Sequence, residues 1–122
     1  MATIERFEEI EAWRDARMLV KRIYEHTGEG AFSRDFGLRD QIRRASISVM
    51  SNIAEGFERA GKKEFVRFLY MAKGSAGEVR SQLYAAADLG YVTKQQTDEL
   101  IAFVETVSRR IAAFIKYLKS TA

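Results

Sequence analysis

Apolar residues recur at steps of three and four positions along most of the chain. This spacing is typical of amphipathic α-helices, because it places the apolar side chains on one face of a helix. Segments that contain glycine separate four such stripes, and each stripe is long enough for one helix. The predicted helices cover about residues 9–27, 35–58, 62–89 and 94–119.

Two further features favour a helical bundle. The chain contains no proline, which favours long uninterrupted helices over a β fold. Thr93 and Gln96 form a capping-box pattern that predicts the start of the last helix. Because the connections are short, neighbouring helices should run antiparallel. We therefore predict an all-α fold, an antiparallel up-down-up-down four-helix bundle formed as a single domain by residues 1–122.

The second predicted helix has apolar residues on more than one face. Opposite or beside its main stripe lie Ile47, Met50, Ala54 and Phe57. Four helices of similar length leave no central position that would bury a second face. We expect this face to contact another subunit in a homo-oligomer, and a monomer with scattered surface apolar residues is the alternative.

Polar residues also fall near the predicted core. Gln41, Asn52 and Glu55 lie along the second helix, and Ser75 lies at similar depth on the third. Buried polar groups cost free energy unless they are paired, so we expect a small buried polar network that links these two helices. Glu55 could instead be a general acid or base, but the sequence offers no obvious catalytic partner for it.

Basic residues gather on the second and third predicted helices. Tyr70 lies among those on the third, Glu64 and Glu78 are expected on the opposite flank, and Asp40 is expected to pair with part of the cluster. Cations at a helix N-terminus, together with its free N–H groups, favour an anion site. We expect phosphate contacts, and a merely solvated basic face is the alternative. The candidate nucleic-acid-binding residues are Arg43, Arg44, Arg59, Lys62, Lys63, Arg67, Lys73 and Arg80.

Composition narrows the possible functions. The 122 residues include 20 Lys+Arg and 17 Asp+Glu, which gives a net charge of +3, and residues 61–122 carry the positive excess. With no cysteine and one histidine, we expect no metal site and no cofactor. The acidic N-terminus does not resemble a secretory signal and no apolar run is long enough for a membrane span, so we expect a cytoplasmic protein without a membrane partner.

Two glycines lie inside the third predicted helix, at positions 74 and 77. Each interior glycine costs about 1 kcal/mol relative to alanine. We expect them to allow close backbone approach to another helix, within the subunit or across an interface.

The run from Gly37 to Val92 resembles a known family of four-helix-bundle proteins. The family is that of the 23S rRNA intervening-sequence proteins, which are encoded within bacterial large-subunit ribosomal RNA genes. Its most specific matching piece is Asn52-Ile53-Ala54-Glu55-Gly56. Other matching pieces are Gly37-Leu38, Gln41-Ile42-Arg43-Arg44-Ala45, Glu64-Phe65, Phe68-Leu69, Gly74-Ser75, Glu78 and Leu89-Gly90-Tyr91, with Trp13 in the first helix. Family members often have a proline before the second helix, where this chain has Gly30-Ala31-Phe32-Ser33.

The resemblance implies an antiparallel four-helix bundle that assembles as a ring-like homopentamer. It also implies a distant relationship to the accessory protein of diversity-generating retroelements, a basic pentamer that binds nucleic acid and a reverse transcriptase. No enzymatic activity comes with the resemblance.

These observations lead to one favoured function and one alternative. We expect a non-enzymatic, oligomeric nucleic-acid-binding protein that contacts phosphate backbones, with RNA favoured over DNA. The alternative is a ring-shaped scaffold that binds a protein partner and no nucleic acid. An enzyme is a third hypothesis, and it would depend on Glu55 together with Gln41 and Asn52.

Overall fold

The computed structural model describes residues 3–121, and they fold into a helical bundle without strands. A 3-10 turn at Phe7–Glu9 precedes helix α1. The helices are α1 (Glu11–Thr27), the short α2 (Gly30–Arg34), α3 (Phe36–Glu58), α4 (Lys62–Asp88) and α5 (Lys94–Ser120). The four long helices begin and end within two residues of the predicted bounds.

The four long helices surround one apolar core. Helix α1 packs against α3 and α5, and α4 packs against the same two helices, so α1 and α4 lie diagonally across the bundle. Each helix contributes fully buried aliphatic side chains, among them Leu19, Ile53, Leu83 and Ile111. The apolar stripes therefore form the core, as the sequence predicts, because their burial removes the largest apolar area from water.

The connection between α1 and α3 contains a helix that the sequence analysis does not predict. Phe32 of α2 is buried, and its ring stacks on Tyr91 at a centroid distance of 5.2 Å. Asp35 caps α3 by accepting a hydrogen bond from the Leu38 N–H at 3.1 Å, and it also accepts one from the Tyr91 hydroxyl at 2.9 Å. This bond to Asp35 raises the pKa of Tyr91 above its usual value. One buried ring and one aspartate thus fix the connection between α1 and α3.

The connection between α4 and α5 has strong local signals at both ends. Gly90 has a φ of +75°, and the next residue, Tyr91, donates its N–H to the Ala86 carbonyl at 2.9 Å. A glycine with positive φ and this hydrogen bond are typical of a helix C-terminus, and here they end α4. On the other side, Thr93 and Gln96 exchange both hydrogen bonds of the predicted capping box.

Close backbone approach occurs at a different glycine from those predicted. A Cβ atom added at Gly56 would lie 2.6 Å from Cβ of Phe68, so α3 and α4 can approach here only because position 56 has no side chain. A Cβ added at Gly74 or Gly77 would have no atom within 4 Å. The prediction of close approach within the subunit at these two positions is therefore wrong, because both face open space.

Within residues 3–121, no helix combines the length and the apolar character that a membrane crossing requires.

Candidate nucleic-acid interface

The predicted basic residues do not form one continuous surface. Lys62, Lys63, Lys73 and Arg80 lie on the flank of α4 that faces α5. Arg59 and Arg67 lie around Glu64 at the start of α4, and Arg43 and Arg44 lie on α3. The structure therefore divides the eight candidates into three groups.

Helix α5 adds cations that the sequence analysis did not select. Lys119 lines the same surface hollow as Lys62 and Lys63. Arg109 precedes Lys116 by seven residues, and Lys116 precedes Lys119 by three. This periodicity places the three side chains on the same side of α5. We call the surface formed by Lys62, Lys63, Lys73, Arg80, Arg109, Lys116 and Lys119 the α4–α5 basic face. The sequence already shows that no Asp or Glu follows Glu105. Only the packing of α5 on α4 shows that the cations in this stretch join those of α4.

The N-terminus of α4 is tied to the C-terminus of α5. Gly61, with a φ of +97°, precedes α4 and supplies no side-chain cap. The Lys62 ammonium donates hydrogen bonds to the carbonyl and the hydroxyl of Thr121, just beyond α5. A cation is favoured at a helix C-terminus, where carbonyl groups lack partners. Lys62 therefore has a structural role, whereas Lys63 makes no ion pair or hydrogen bond with any residue in the described range 3–121.

Glu64 does not line the hollows that hold Lys62, Lys63, Lys73 and Arg80. The exception to its predicted separation from the α4 cations is Arg67, which pairs with it. Both Glu64 carboxylate oxygens accept hydrogen bonds from Arg67, at 2.9 and 3.2 Å, and the Arg59 guanidinium lies 3.8 Å away. The hydrogen bond to Arg67 lowers the pKa of Glu64, and the charges of Arg67, Arg59 and Lys63 act in the same direction. The same bond raises the pKa of Arg67. Arg59 and Arg67 are thus partly neutralised by direct ion pairs with Glu64, whereas Lys63 acts on Glu64 only at longer range.

Arg43 has structural partners on α1. Its Nε donates to the Thr27 hydroxyl at 2.8 Å, and its guanidinium lies 4.4 Å from the centroid of the Tyr24 ring. Asp40 pairs with Arg39 at 2.9 Å, so its predicted pairing with Arg43 and Arg44 is wrong. Arg44 remains exposed on the outer surface of α3.

The remaining cations of the α4–α5 basic face differ in how far they are neutralised. Arg80 pairs with Glu105 at 3.2 Å. Lys73 lines the same hollow as Arg80, but has no ion-pair partner among the residues that the structure describes. Exposed pairs such as Arg80–Glu105 contribute little to stability and remain open to competition from other anions.

Part of the predicted polar network is present between α3 and α4. Asn52 Nδ2 donates to the Ser48 hydroxyl at 2.9 Å, and the Ser75 hydroxyl donates to the same Ser48 oxygen at 3.0 Å. Gln41 is exposed and reaches α4 only through a 3.5 Å contact with Gln82.

Glu55 does not belong to this network. In the single chain its side chain is exposed, so its predicted burial is wrong. No group of three or more metal-binding side chains occurs in the described part of the chain.

The predicted oligomer face lies on the flank of α3 next to α1. Ile47 is 39% exposed and lines a shallow hollow with Tyr24 and Arg43. Met50 and Ala54 are half-buried against the core, as is Phe57, whose ring meets that of Phe65 edge to face at 5.9 Å. Phe57 thus has an intramolecular partner, and Ile47 is the most exposed member of the set.

The fold and this surface define a class, a small all-helical bundle with a basic groove between its last two helices. A model of the 23S rRNA-intervening sequence protein family matches residues 8–113, and the chain belongs to this family.

A solved structure shows the same fold. It is a protein of unknown function from the S23 ribosomal protein family of Bacteroides thetaiotaomicron, with a TM-score of 0.80 and 20% sequence identity. The match covers 86% of this chain and 95% of that chain. At this identity the similarity shows the fold alone. No curated protein matches the chain.

Proposed function

We propose that this protein is a non-enzymatic, oligomeric nucleic-acid-binding protein that contacts phosphate groups through the α4–α5 basic face. The observation that carries the proposal is the excess of cations over carboxylates on this face, where Glu105 lines one hollow and pairs with Arg80. Helix α4 has no Asp or Glu between Glu64 and Glu78, and α5 has none after Glu105. These two stretches pack side by side, so their lysines and arginines create a positive potential that attracts a polyanion.

RNA is the proposed ligand, and DNA is the alternative that parallel titrations with both would distinguish. Contacts to phosphates position a protein without selecting a sequence, so we expect broad sequence tolerance and strong salt dependence.

The test is a charge reversal on the proposed face. In one variant Lys63, Lys73 and Lys119 become Glu. In a matched control the same change is made outside the α4–α5 basic face, at Lys21, Arg34 and Lys94. Binding to a labelled structured RNA is measured across a salt series with nuclease-treated protein, and circular dichroism checks helicity.

We expect the first variant to bind on the order of 100-fold more weakly and with a shallower salt dependence, because phosphate contacts are lost. The control should bind within a few-fold of the unmodified protein. Equal losses in both variants would contradict the proposed surface. Absence of binding by the unmodified protein at low salt would refute the function and favour a protein-binding scaffold.

The proposal also includes self-association. Apolar side chains on the α1 side of α3, with Ile47 most exposed, support a contact with a second copy, and the family resemblance suggests a pentamer. Light scattering on the unmodified protein measures the mass directly, and a monomeric mass would refute this part.

A further inference from the structure

Within the α4–α5 basic face, apolar surface is enclosed by lysines. Val66 is half-buried, and Tyr70, one turn later on the same side of α4, is 51% exposed. Lys62, Lys63, Val66 and Lys119 line one shallow hollow of about 330 Å³. Lys119 reaches across from α5, with its Nζ 3.4 Å from the Tyr70 hydroxyl and 5.7 Å from the ring centroid.

An exposed tyrosine ring among lysines favours a different ligand from lysines alone. Phosphate binding requires cations but no exposed aromatic ring. An unpaired nucleotide offers both an anionic phosphate and a flat base, and base-aromatic stacking contributes about 1–3 kcal/mol per base. In a duplex the faces of the bases are covered by their neighbours, so an exposed ring among cations favours a single strand.

We propose that Tyr70 is a stacking platform for one unpaired base of a single-stranded RNA segment, whose neighbouring phosphates contact Lys63, Lys73 and Lys119. This inference rests on the proposed function and adds the class of ligand. The Lys62 ammonium is already bound to Thr121, so its role here is to form a wall of the hollow. Lys63 and Lys73 have no ion-pair partner among residues 3–121 and are available to phosphates.

The same helix provides a matched control. Tyr84 is 55% exposed, similar to Tyr70, and follows it by 14 residues, about 21 Å along the helix axis. Near that end of α4 the neighbouring cations are already paired, Arg80 with Glu105 and Lys94 with Asp98. Tyr84 therefore offers a similarly exposed ring, but the cations near it already have ion-pair partners.

The experiment compares the single substitutions Tyr70→Leu, Tyr70→Phe and Tyr84→Leu in the full chain. Each protein is titrated with a labelled single-stranded oligouridine of roughly 12 nucleotides, within the range of site sizes for single-strand binders, and with an RNA duplex of the same length. A 2-aminopurine base in a second single strand reports stacking through fluorescence quenching.

We expect Tyr70→Leu to weaken single-strand binding on the order of 10-fold, to reduce the quenching, and to change duplex binding less than twofold. Tyr70→Phe keeps the ring and should retain single-strand binding and quenching, which shows that stacking is the cause. Tyr84→Leu should also bind normally.

Three outcomes would overturn the inference. In the first, Tyr70→Leu binds the single strand normally while the lysine reversals still abolish binding, so the proposed function survives and stacking fails. In the second, Tyr70→Leu weakens the single strand and the duplex equally, which means that the ring only supports the lysines. In the third, the unmodified protein binds no RNA, and both proposals fail together.

Discussion

The two flanks of helix α4 differ in how closely its neighbours approach. On the α3 flank, the Gly56 backbone meets Phe68 so closely that a single added carbon would lie 2.6 Å from it. On the α5 flank, Gly77 has open space around it and lines a groove with Lys73, Arg80 and Ser108. The first flank fixes the relative position of two helices, and the second leaves room for long charged side chains and a ligand.

Glycine has two different roles at these flanks, close packing at Gly56 of α3 and open space at Gly77 of α4. Polar residues differ in the same way. On the close flank, polar side chains bond to each other, as Ser48, Asn52 and Ser75 do. On the open flank, charged side chains such as Lys73 face solvent. Substitutions on the close flank should therefore mainly change the stability of the fold, and substitutions on the open flank should mainly change ligand binding.

The largest expected effect on stability comes from Gly56→Ala. The added Cβ would meet Cβ of Phe68, and that atom cannot move without shifting α4. We expect a loss of about 2 kcal/mol in the free energy of unfolding, in the range for overpacked sites, despite the better helix propensity of alanine. Urea denaturation measures it. An unchanged or higher stability would show that α3 and α4 are not closely packed at this position.

A smaller loss is expected for Ser48→Ala on the same flank. The substitution removes the oxygen that accepts hydrogen bonds from Asn52 and Ser75. We expect a loss of about 1 kcal/mol, the usual contribution of such a bond, in the same denaturation experiment. Ser108→Ala on the open flank is the control and should change stability by less than about 0.5 kcal/mol. Equal effects would remove the distinction between the flanks.

The smallest change is expected for Gly77→Ala, and it has the opposite sign. Because a Cβ at this exposed position meets no atom within 4 Å, the substitution should stabilise the helix by about 0.5–1 kcal/mol. Thermal unfolding, followed by circular dichroism, measures the gain. A loss of stability together with a lower assembled mass would instead support the remaining prediction of close approach across a subunit interface.

Sequence patterns predicted the long helices because their signals are local. Apolar periodicity marks each buried stripe, and the Thr93–Gln96 box marks the start of α5 within one turn. The short helix α2 was missed because its single buried ring, Phe32, is held by Tyr91, which is distant in sequence. Five residues give too little periodicity for a helix prediction.

The candidate interface was predicted less completely because it depends on which helices pack together. Lys119 joins Lys63 only when α5 lies antiparallel to α4. Arg43 was assigned to the interface from its charge, but its position places it against Thr27 and Tyr24 of α1. Helical spacing reports which residues share a face of one helix, and it does not report the partner of that face.

The glycine-terminated turn between α4 and α5 also affects the order in which the bundle assembles. Its signals at Gly90 and Thr93 lie within a few residues of each other, so the α4–α5 hairpin closes only a short loop. By contrast, Arg110 of α5 reaches Asp15 of α1 across 95 positions of the chain. Contacts between distant parts of a chain form more slowly than local ones. The pair of helices that carries the basic face is therefore expected to form early during folding, and α1 to dock last.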